Sequence, residues 1–236
     1  MAIKSIKQIT YSDQDDSARI YVEEVLDAAY GCYIWPSALV MGEFVWYYRQ
    51  RFMNKTVLEV GAGTSIPTLV LAQTAKPAHL IISDIPEILP VVHACLERNK
   101  VNDVWVNAVV WDKLGTDTSI DYLTNKVETE WRTKIDYIIG SDTFYEPSQF
   151  ENLLVLVSYV IYNHNPKCRF ITTYQERSPK RSIQYLLDKW GLSCTQIPKD
   201  SFGFDETKYI ERERSEVVVS AGTLSSVFLF EIGAAL

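Results

Sequence analysis

The sequence is poor in the residues that metal sites and disulfide frameworks require. Its four cysteines are far apart with no Cys-x-x-Cys pair, and its three histidines show no metal-ligand spacing. These residues are Cys32, Cys95, Cys168, Cys194, His79, His93 and His164. The pattern predicts buried, reduced thiols in an intracellular protein and no bound metal.

Long apolar runs and an excess of basic residues are also missing. No apolar run reaches the length of a membrane span, and residues 1–7 lack the apolar core of a signal peptide. The chain has 23 Lys and Arg against 30 Asp and Glu, a net charge of −7. We therefore expect no membrane association and no direct nucleic-acid binding, which needs a basic surface. A basic protein partner is compatible with this charge.

The order of the predicted elements indicates an α/β fold. Strands alternate with helices through most of the 236 residues, which is typical of a doubly wound, mostly parallel sheet. Strands are predicted at 56–60, 80–84, 104–112, 135–142 and 169–174, and helices at 37–50, 66–75, 86–99, 117–133, 148–162 and 180–190. The helix at 37–50 is expected to be amphipathic.

Both ends of the chain depart from this alternation. Residues 192–198 and 217–232 are strand-like without a clear helix between them, so an antiparallel C-terminal pair is predicted to close the sheet. Residues 3–11 and 19–26 predict an N-terminal β-hairpin. We therefore divide the chain into a hairpin appendage, 1–30, and a main domain, 31–236.

A glycine turn follows the first strand of the predicted sheet. Residues 56–60 form the strand, Gly61 and Gly63 allow the backbone to turn sharply, and Pro67 suits the first turn of a helix. Strand, Gly-x-Gly and helix together are typical of a phosphate or nucleoside site at the carboxyl ends of parallel strands.

Two acidic residues are associated with this turn. Asp84 ends the second strand 23 residues after Gly61, where a carboxylate accepts hydrogen bonds from ribose hydroxyls. The alternative is that Asp84 caps the following helix. Glu59 precedes the glycines, and either receives a cationic amino group or orders the glycine loop.

The sequence lacks the third glycine of a dinucleotide site. Ile66 stands at that position, where a glycine would let the helix N-terminus approach a pyrophosphate. This disfavours a nicotinamide-dependent dehydrogenase and favours S-adenosylmethionine, which carries no phosphate.

Taken together, the motifs resemble the seven-β-strand, methyltransferase-like family of protein methyltransferases. In chain order they are Trp35-Pro36-Ser37-Ala38, Glu59 to Pro67, Ser83-Asp84, Trp111-Asp112, Ser141 to Tyr145 and Tyr174 to Arg177. The resemblance covers roughly residues 20 to 232. Ser65 replaces a glycine that is common in the lysine-modifying relatives.

This resemblance implies a seven-stranded Rossmann-like methyltransferase sheet and S-adenosylmethionine as cofactor. It implies methyl transfer to an arginine of a histone or another basic protein. One alternative is lysine methylation of a chaperone-associated or other protein, and another is a non-catalytic cofactor-binding regulator of a transcription factor or chaperone. Cytoplasm and nucleus are the expected locations, although no dense basic run marks nuclear import.

The resemblance also implies roles for residues around the cofactor. Trp35 would flank it, Glu59, Gly61 and Gly63 would hold its methionine portion, Asp84 its ribose, and Trp111 would pack beside adenine. Ser141 is grouped with these cofactor-binding residues. From the residues alone, Trp35 and Trp111 are equally interpretable as core aromatics.

The acceptor side of the site is predicted from the fourth and fifth strands. Asp142 to Tyr145 matches the Asp-x-x-Tyr signature of lysine-modifying relatives. We predict that Asp142, Glu146 and Glu176 form an acidic pocket that grips the substrate cation, with Tyr145 orienting the nucleophile. The alternatives are that Glu176 pairs with Arg177, that Glu146 is a solvated loop residue, and that Tyr145 packs under the next helix.

Overall fold

The structure is a computed structural model that describes residues 3–26, 32–178, 182–210, 217, 219–220 and 222–235. Within these ranges a seven-stranded sheet has six α-helices on its two faces, and a separate two-stranded sheet packs beside it. The predicted doubly wound α/β fold is confirmed.

The central sheet is parallel except for the strand that comes last in the chain. The strands are β3 (Thr56–Val60), β4 (His79–Asp84), β5 (Val104–Ala108), β6 (Tyr137–Ser141), β7 (Arg169–Gln175), β8 (Leu192–Ile197) and β9 (Val227–Ala234). Their spatial order is β5-β4-β3-β6-β7-β9-β8. β9 is antiparallel to both β7 and β8, so it alone reverses the direction of the sheet.

This strand order places a ligand site at the centre of the sheet. β3 pairs with β4 on one side and with β6 on the other. The chain leaves β3 toward β4 and later returns to β6, which makes the carboxyl ends of β3 and β6 the topological switch point. In open α/β sheets ligands bind in the crevice at such a point.

Three helices cover each face. On the first face α1 (Pro36–Tyr47), α2 (Ile66–Thr74) and α3 (Leu89–Arg98) bury one apolar cluster, and each has a proline in its first two positions. Proline suits this place because the first helical N–H groups have no partner within the helix. α4 (Ile120–Glu130), α5 (Phe150–Tyr159) and α6 (Gln184–Lys189) bury the second cluster.

The predicted N-terminal hairpin is present and packs against the helices on the first face of the central sheet. β1 (Ile3–Ser12) and β2 (Ser17–Leu26) are antiparallel, and Ile9, Tyr11 and Ile20 lie in the first apolar cluster. Asn99, the C-cap residue of α3, joins the two units, since its side chain accepts from the Tyr21 N–H at 2.8 Å and donates to the Tyr21 carbonyl at 2.6 Å. The proposed boundary at 30/31 falls in residues 27–31, outside the described residues, and the division stays a prediction.

Several predicted elements need correction. The third strand ends at Ala108, so Trp111 and Asp112 lie in a turn, and the last strand begins only at Val227. α1 is buried around most of its circumference and is not amphipathic, because the hairpin and the sheet both pack against it. Part of the helix predicted at 180–190 lies in residues 179–181, outside the described residues; its described part is α6.

Candidate functional site

The glycine turn has a left-handed backbone conformation at two positions, which its glycines adopt without strain. Gly61 and Gly63 have φ values of +57° and +50°, in the left-handed region that favours glycine. A methyl group at Gly61 would lie 3.1 Å from Trp111 Cζ2 and 3.3 Å from Thr143 Cγ2. The turn therefore has Trp111, which follows β5, and Thr143, which follows β6, directly against it.

Asp84 is bonded to the glycine turn. Its Oδ2 accepts from the Gly63 N–H at 2.8 Å and its Oδ1 from the Ile85 N–H at 2.7 Å. Burial raises the pKa of Asp84 to about 6, and the charge of Glu87 adds to this effect. The capping alternative is wrong, because α3 begins five residues later at Leu89 and Ile88 occupies its N-cap position.

Glu59 is the most buried acid of the site. Its side chain is inaccessible to solvent, and Oε2 accepts from the Thr68 N–H at 3.2 Å. Oε1 has no hydrogen-bond partner among the residues described. Burial raises the pKa of this carboxyl group to about 8. Glu59 thus orders the start of α2 with one oxygen and presents the other to a donor.

The start of α2 does not offer an anion site. Pro67 has no N–H, the Thr68 N–H is bonded to Glu59, and the Leu69 N–H is bonded to the Ser65 carbonyl. A pyrophosphate binds to free N–H groups at a helix N-terminus. Here the buried carboxyl group of Glu59 holds that place, so the residues do not fit a dinucleotide.

The same residues fit S-adenosylmethionine. Its amino group is a cationic donor of the kind that the unpaired Glu59 Oε1 lacks, and its ribose suits a carboxylate at the end of β4. Ser141 Oγ, at the end of β6, is also buried and has no partner within the described ranges. Both unpaired atoms lie on strands that flank the switch point.

Of the two tryptophans of the predicted cofactor site, one lies over the glycine turn and the other at the start of α1. Trp111 is partly buried, packs against the second apolar cluster and lies over Gly61. Trp35 is partly buried at the N-cap position of α1. The next residue but one, Ser37, is connected to β7, because Thr173 Oγ1 donates to the Ser37 carbonyl at 2.9 Å. The predicted contacts of Trp35, Trp111 and the other cofactor-binding residues stay predictions.

The three acids of the predicted substrate pocket differ in environment. Asp142 is buried, whereas Glu146 and Glu176 are exposed. Glu146 Oε1 accepts from the N–H and hydroxyl of Ser148, at 3.2 and 3.0 Å. Glu176 has no side-chain partner within the described part of the chain, and Tyr145 is 42% exposed. Both exposed carboxylates are accessible to a cation from solvent, Glu146 through the oxygen that does not bind Ser148, and their predicted roles stay predictions.

Arg177 has a partner that sequence reasoning missed. Its guanidinium binds Asp142 through two hydrogen bonds, and the alternative pair of Arg177 with Glu176 is not formed. The charge of Asp142 is thus matched within the protein. The available signal was position alone, since both residues directly follow neighbouring strands at the same edge of the sheet.

Two further observations concern metal ions and membranes. No group of three or more His, Cys, Asp or Glu side chains that could hold a metal ion occurs in the described residues. Over the same ranges, none of the helices is both long enough and apolar enough to cross a membrane.

Comparison with known proteins supplies an independent result. A family profile described as "Lysine methyltransferase" matches residues 14–188. The chain is 36% identical over 194 residues to the histone-arginine methyltransferase METTL23 of Xenopus laevis, covering 81% of this chain and 77% of the relative. It is 27% identical over 154 residues to the protein-lysine methyltransferase METTL21E of Bos taurus, covering 60% and 47%.

Solved structures agree on the fold. An O-methyltransferase from Bacillus cereus, in complex with SAH, superposes with a TM-score of 0.50 at 13% identity, covering 82% of this chain and 80% of that one. Because the identity is only 13%, this similarity shows a shared fold and nothing more.

Proposed function

This chain belongs to a family of methyltransferases, and from that premise we propose that it methylates an arginine of a histone or another basic protein, with S-adenosylmethionine as donor. When bound, the cofactor would supply a sulfonium methyl group, which passes in line to the acceptor nitrogen as the C–S bond breaks and S-adenosylhomocysteine leaves. The protein's part is then to hold the two reactants in near-attack geometry.

The observation that carries the proposal is the state of Glu59. A fully buried carboxyl group with one unpaired oxygen lies where a dinucleotide enzyme needs free N–H groups. In the proposed complex Glu59 Oε1 accepts from the amino group of the cofactor and Asp84 from its ribose. Gly61 and Gly63 allow close approach, and Trp111 and Ser141 complete the wall.

Arginine is favoured as acceptor by similarity. The relative named as a histone-arginine methyltransferase shares more identity with this chain, over a longer stretch, than the relative named as a lysine methyltransferase. Ser65 adds support, since the lysine-modifying relatives that the sequence resembles commonly carry glycine there. In this chain Ser65 keeps the left-handed backbone, with φ +57°.

The exposed acids supply the acceptor side of the proposal. Carboxylates bind a guanidinium through two hydrogen bonds and localise its charge away from the attacking nitrogen. Because Asp142 is already paired, Glu146 and Glu176 take this role, and the proton released by the acceptor nitrogen passes to one of them or to solvent. A histone acceptor further implies that the protein is present in the nucleus as well as the cytoplasm.

A second candidate is lysine methylation, which the Asp142 to Tyr145 signature favours. One experiment separates the possibilities: incubation with tritiated S-adenosylmethionine and either core histones or a purified chaperone mixture, followed by identification of the labelled residue. Labelled arginine in histones supports the proposal, and labelled lysine supports the alternative. No label, despite thermal stabilisation by S-adenosylhomocysteine and not by NADH, would indicate a non-catalytic regulator.

A further inference from the structure

Arg177 and Asp142 form a two-pronged ion pair at the carboxyl edge of the sheet. Nη1 of Arg177 donates to Asp142 Oδ1 at 2.9 Å, and Nη2 donates to Oδ2 at 2.5 Å. The Asp142 side chain is 4% exposed, whereas that of Arg177 is 30% exposed. A planar guanidinium matches both oxygens of a carboxylate at once, which a lysine ammonium does not. The hydrogen bonds to Asp142 raise the pKa of Arg177 further, so this guanidinium stays charged.

Asp142 also holds an unusual backbone conformation. Its φ is +57°, in the left-handed region that residues with a side chain rarely adopt. Its N–H donates to the Thr173 carbonyl at 2.8 Å, and its Oδ1 accepts from the Gln175 N–H at 3.3 Å. Three residues of β7 and the segment after it, Thr173, Gln175 and Arg177, therefore hold Asp142 in this strained conformation.

The conformation of Asp142 decides where the following residues lie. Thr143 comes next, and its Cγ2 is 3.3 Å from the position of a methyl group at Gly61. Its Oγ1 is 3.2 Å from Thr172 Oγ1 of β7. Phe144 is buried in the second apolar cluster, and Tyr145 reaches the surface. A different turn at Asp142 would move Thr143 off the glycine turn and redirect Phe144 and Tyr145, which follow it.

We propose that Arg177 is a positioning residue for methyl transfer: by holding Asp142 it sets the turn from Asp142 to Tyr145 and keeps Thr143 against the glycine turn of the cofactor site. This inference rests on the proposed function. It also assigns Asp142 to the internal pair and not to the substrate cation. Arg177 itself touches neither reactant.

The first test compares Arg177→Ala and Arg177→Lys with a matched control. Arg51→Ala removes another arginine whose guanidinium pairs with a carboxylate, Glu231 at 2.7 Å, but beside Tyr137 at the opposite end of β6. Transfer of tritiated methyl groups to core histones is measured together with affinity for S-adenosylhomocysteine. For Arg177→Ala we expect kcat to fall at least tenfold, while KM for the donor and the affinity stay within threefold.

Rescue separates positioning from general stability. Methylguanidinium at millimolar concentration is expected to raise the kcat of Arg177→Ala several-fold, whereas tetramethylammonium is not, because only the former restores both hydrogen bonds. Arg177→Lys should recover little, and Arg51→Ala should match the wild type. An unchanged or increased kcat for Arg177→Ala would overturn the inference, and so would a parallel loss of cofactor affinity.

A second readout needs no acceptor. In amide NMR spectra of the S-adenosylhomocysteine complex, the signals of Thr143 and Tyr145 should move in Arg177→Ala and return with methylguanidinium, while those of Gly61 and Gly63 stay in place. Unmoved Thr143 and Tyr145 signals would overturn the inference. If the wild type labels no histone but these signals respond, the proposed function fails while the positioning by Arg177 stands.

Discussion

The backbone N–H of Gly63 donates to Oδ2 of Asp84 at 2.8 Å. This hydrogen bond joins the turn after β3 to the end of β4, the neighbouring strand. The acid expected to bind ribose therefore also fixes the glycine turn that would receive the rest of the cofactor. Turn and acid act as one unit, and changing either should disturb both.

Asp84→Ala is expected to weaken binding of S-adenosylhomocysteine at least tenfold, because it removes the proposed ribose acceptor and frees the Gly63 N–H. Asp84→Asn keeps one carbonyl oxygen and should lie between Asp84→Ala and the wild type. Isothermal titration calorimetry measures both. Glu87→Gln, at a nearby exposed acid, is the control and should bind normally. Full affinity in Asp84→Ala would contradict the assignment.

Gly61→Ala is expected to abolish cofactor binding and to lower the free energy of unfolding by about 1–3 kcal/mol, since it combines left-handed strain with crowding by Trp111 and Thr143. Gly115→Ala is the matched control. Gly115 has φ +68° but no atom within 4 Å of the added methyl group, so it carries only the backbone strain. Urea unfolding and titration with S-adenosylhomocysteine would compare them, and equal effects of the two substitutions would argue against crowding at the turn.

Glu59 should make stability depend on pH. Its pKa rises from 4.5 to about 8 on folding, so the folded state keeps a proton that the unfolded state loses. Stability from this group is present at low pH and is lost as pH rises from about 4.5 to about 8. Glu59→Gln should remove this dependence. The free energy of unfolding of the variant, relative to that of the wild type, should therefore be higher at pH 8.5 than at pH 5.5. Urea unfolding at both values measures it, with exposed Glu97→Gln as control.

Glu146→Gln and Glu176→Gln test the acceptor side. Both side chains are exposed, so we expect normal folding and unchanged S-adenosylhomocysteine affinity. Turnover on histones should fall at least tenfold in the double variant, because the guanidinium loses its charged acceptors. Asp188→Asn, an exposed acid on α6, serves as the control. Unchanged turnover with normal cofactor binding would contradict the acidic pocket.

Asn99→Ala should show how firmly the hairpin is attached. It removes the two bonds to Tyr21 and one to the Cys95 carbonyl, and we expect a loss of about 1–3 kcal/mol in the free energy of unfolding. Thermal and urea unfolding followed by tryptophan fluorescence measure this change. Asn102→Ala, at an exposed position, should have little effect. A variant as stable as the wild type would indicate that the hydrogen bonds of Asn99 are not needed to attach the hairpin.

Much of the fold was predictable because local pattern and global fold agree. Local sequence is enough to recognise the buried apolar strand Thr56–Val60, the glycines after it and the proline that begins α2. The boundaries that were wrong lie where tertiary packing overrides local preference. Val109 and Val110 suit a strand, but the Val110 N–H donates to the Thr118 carbonyl in a turn. Likewise α1 is buried on most sides because α2, the sheet and Tyr11 of the hairpin all pack against it.

By itself the sequence determined the alternating sheet, the glycine turn and the acids at its strand ends, since each depends on residue type and short spacing. Only the tertiary structure decided which partner each charged group has. It paired Asp142 with Arg177, 35 residues away, and bonded Glu59 to the first turn of α2. Parallel strands bring their carboxyl ends to one edge whatever their separation in the chain. Distance in sequence therefore does not limit these contacts, and no local pattern records them.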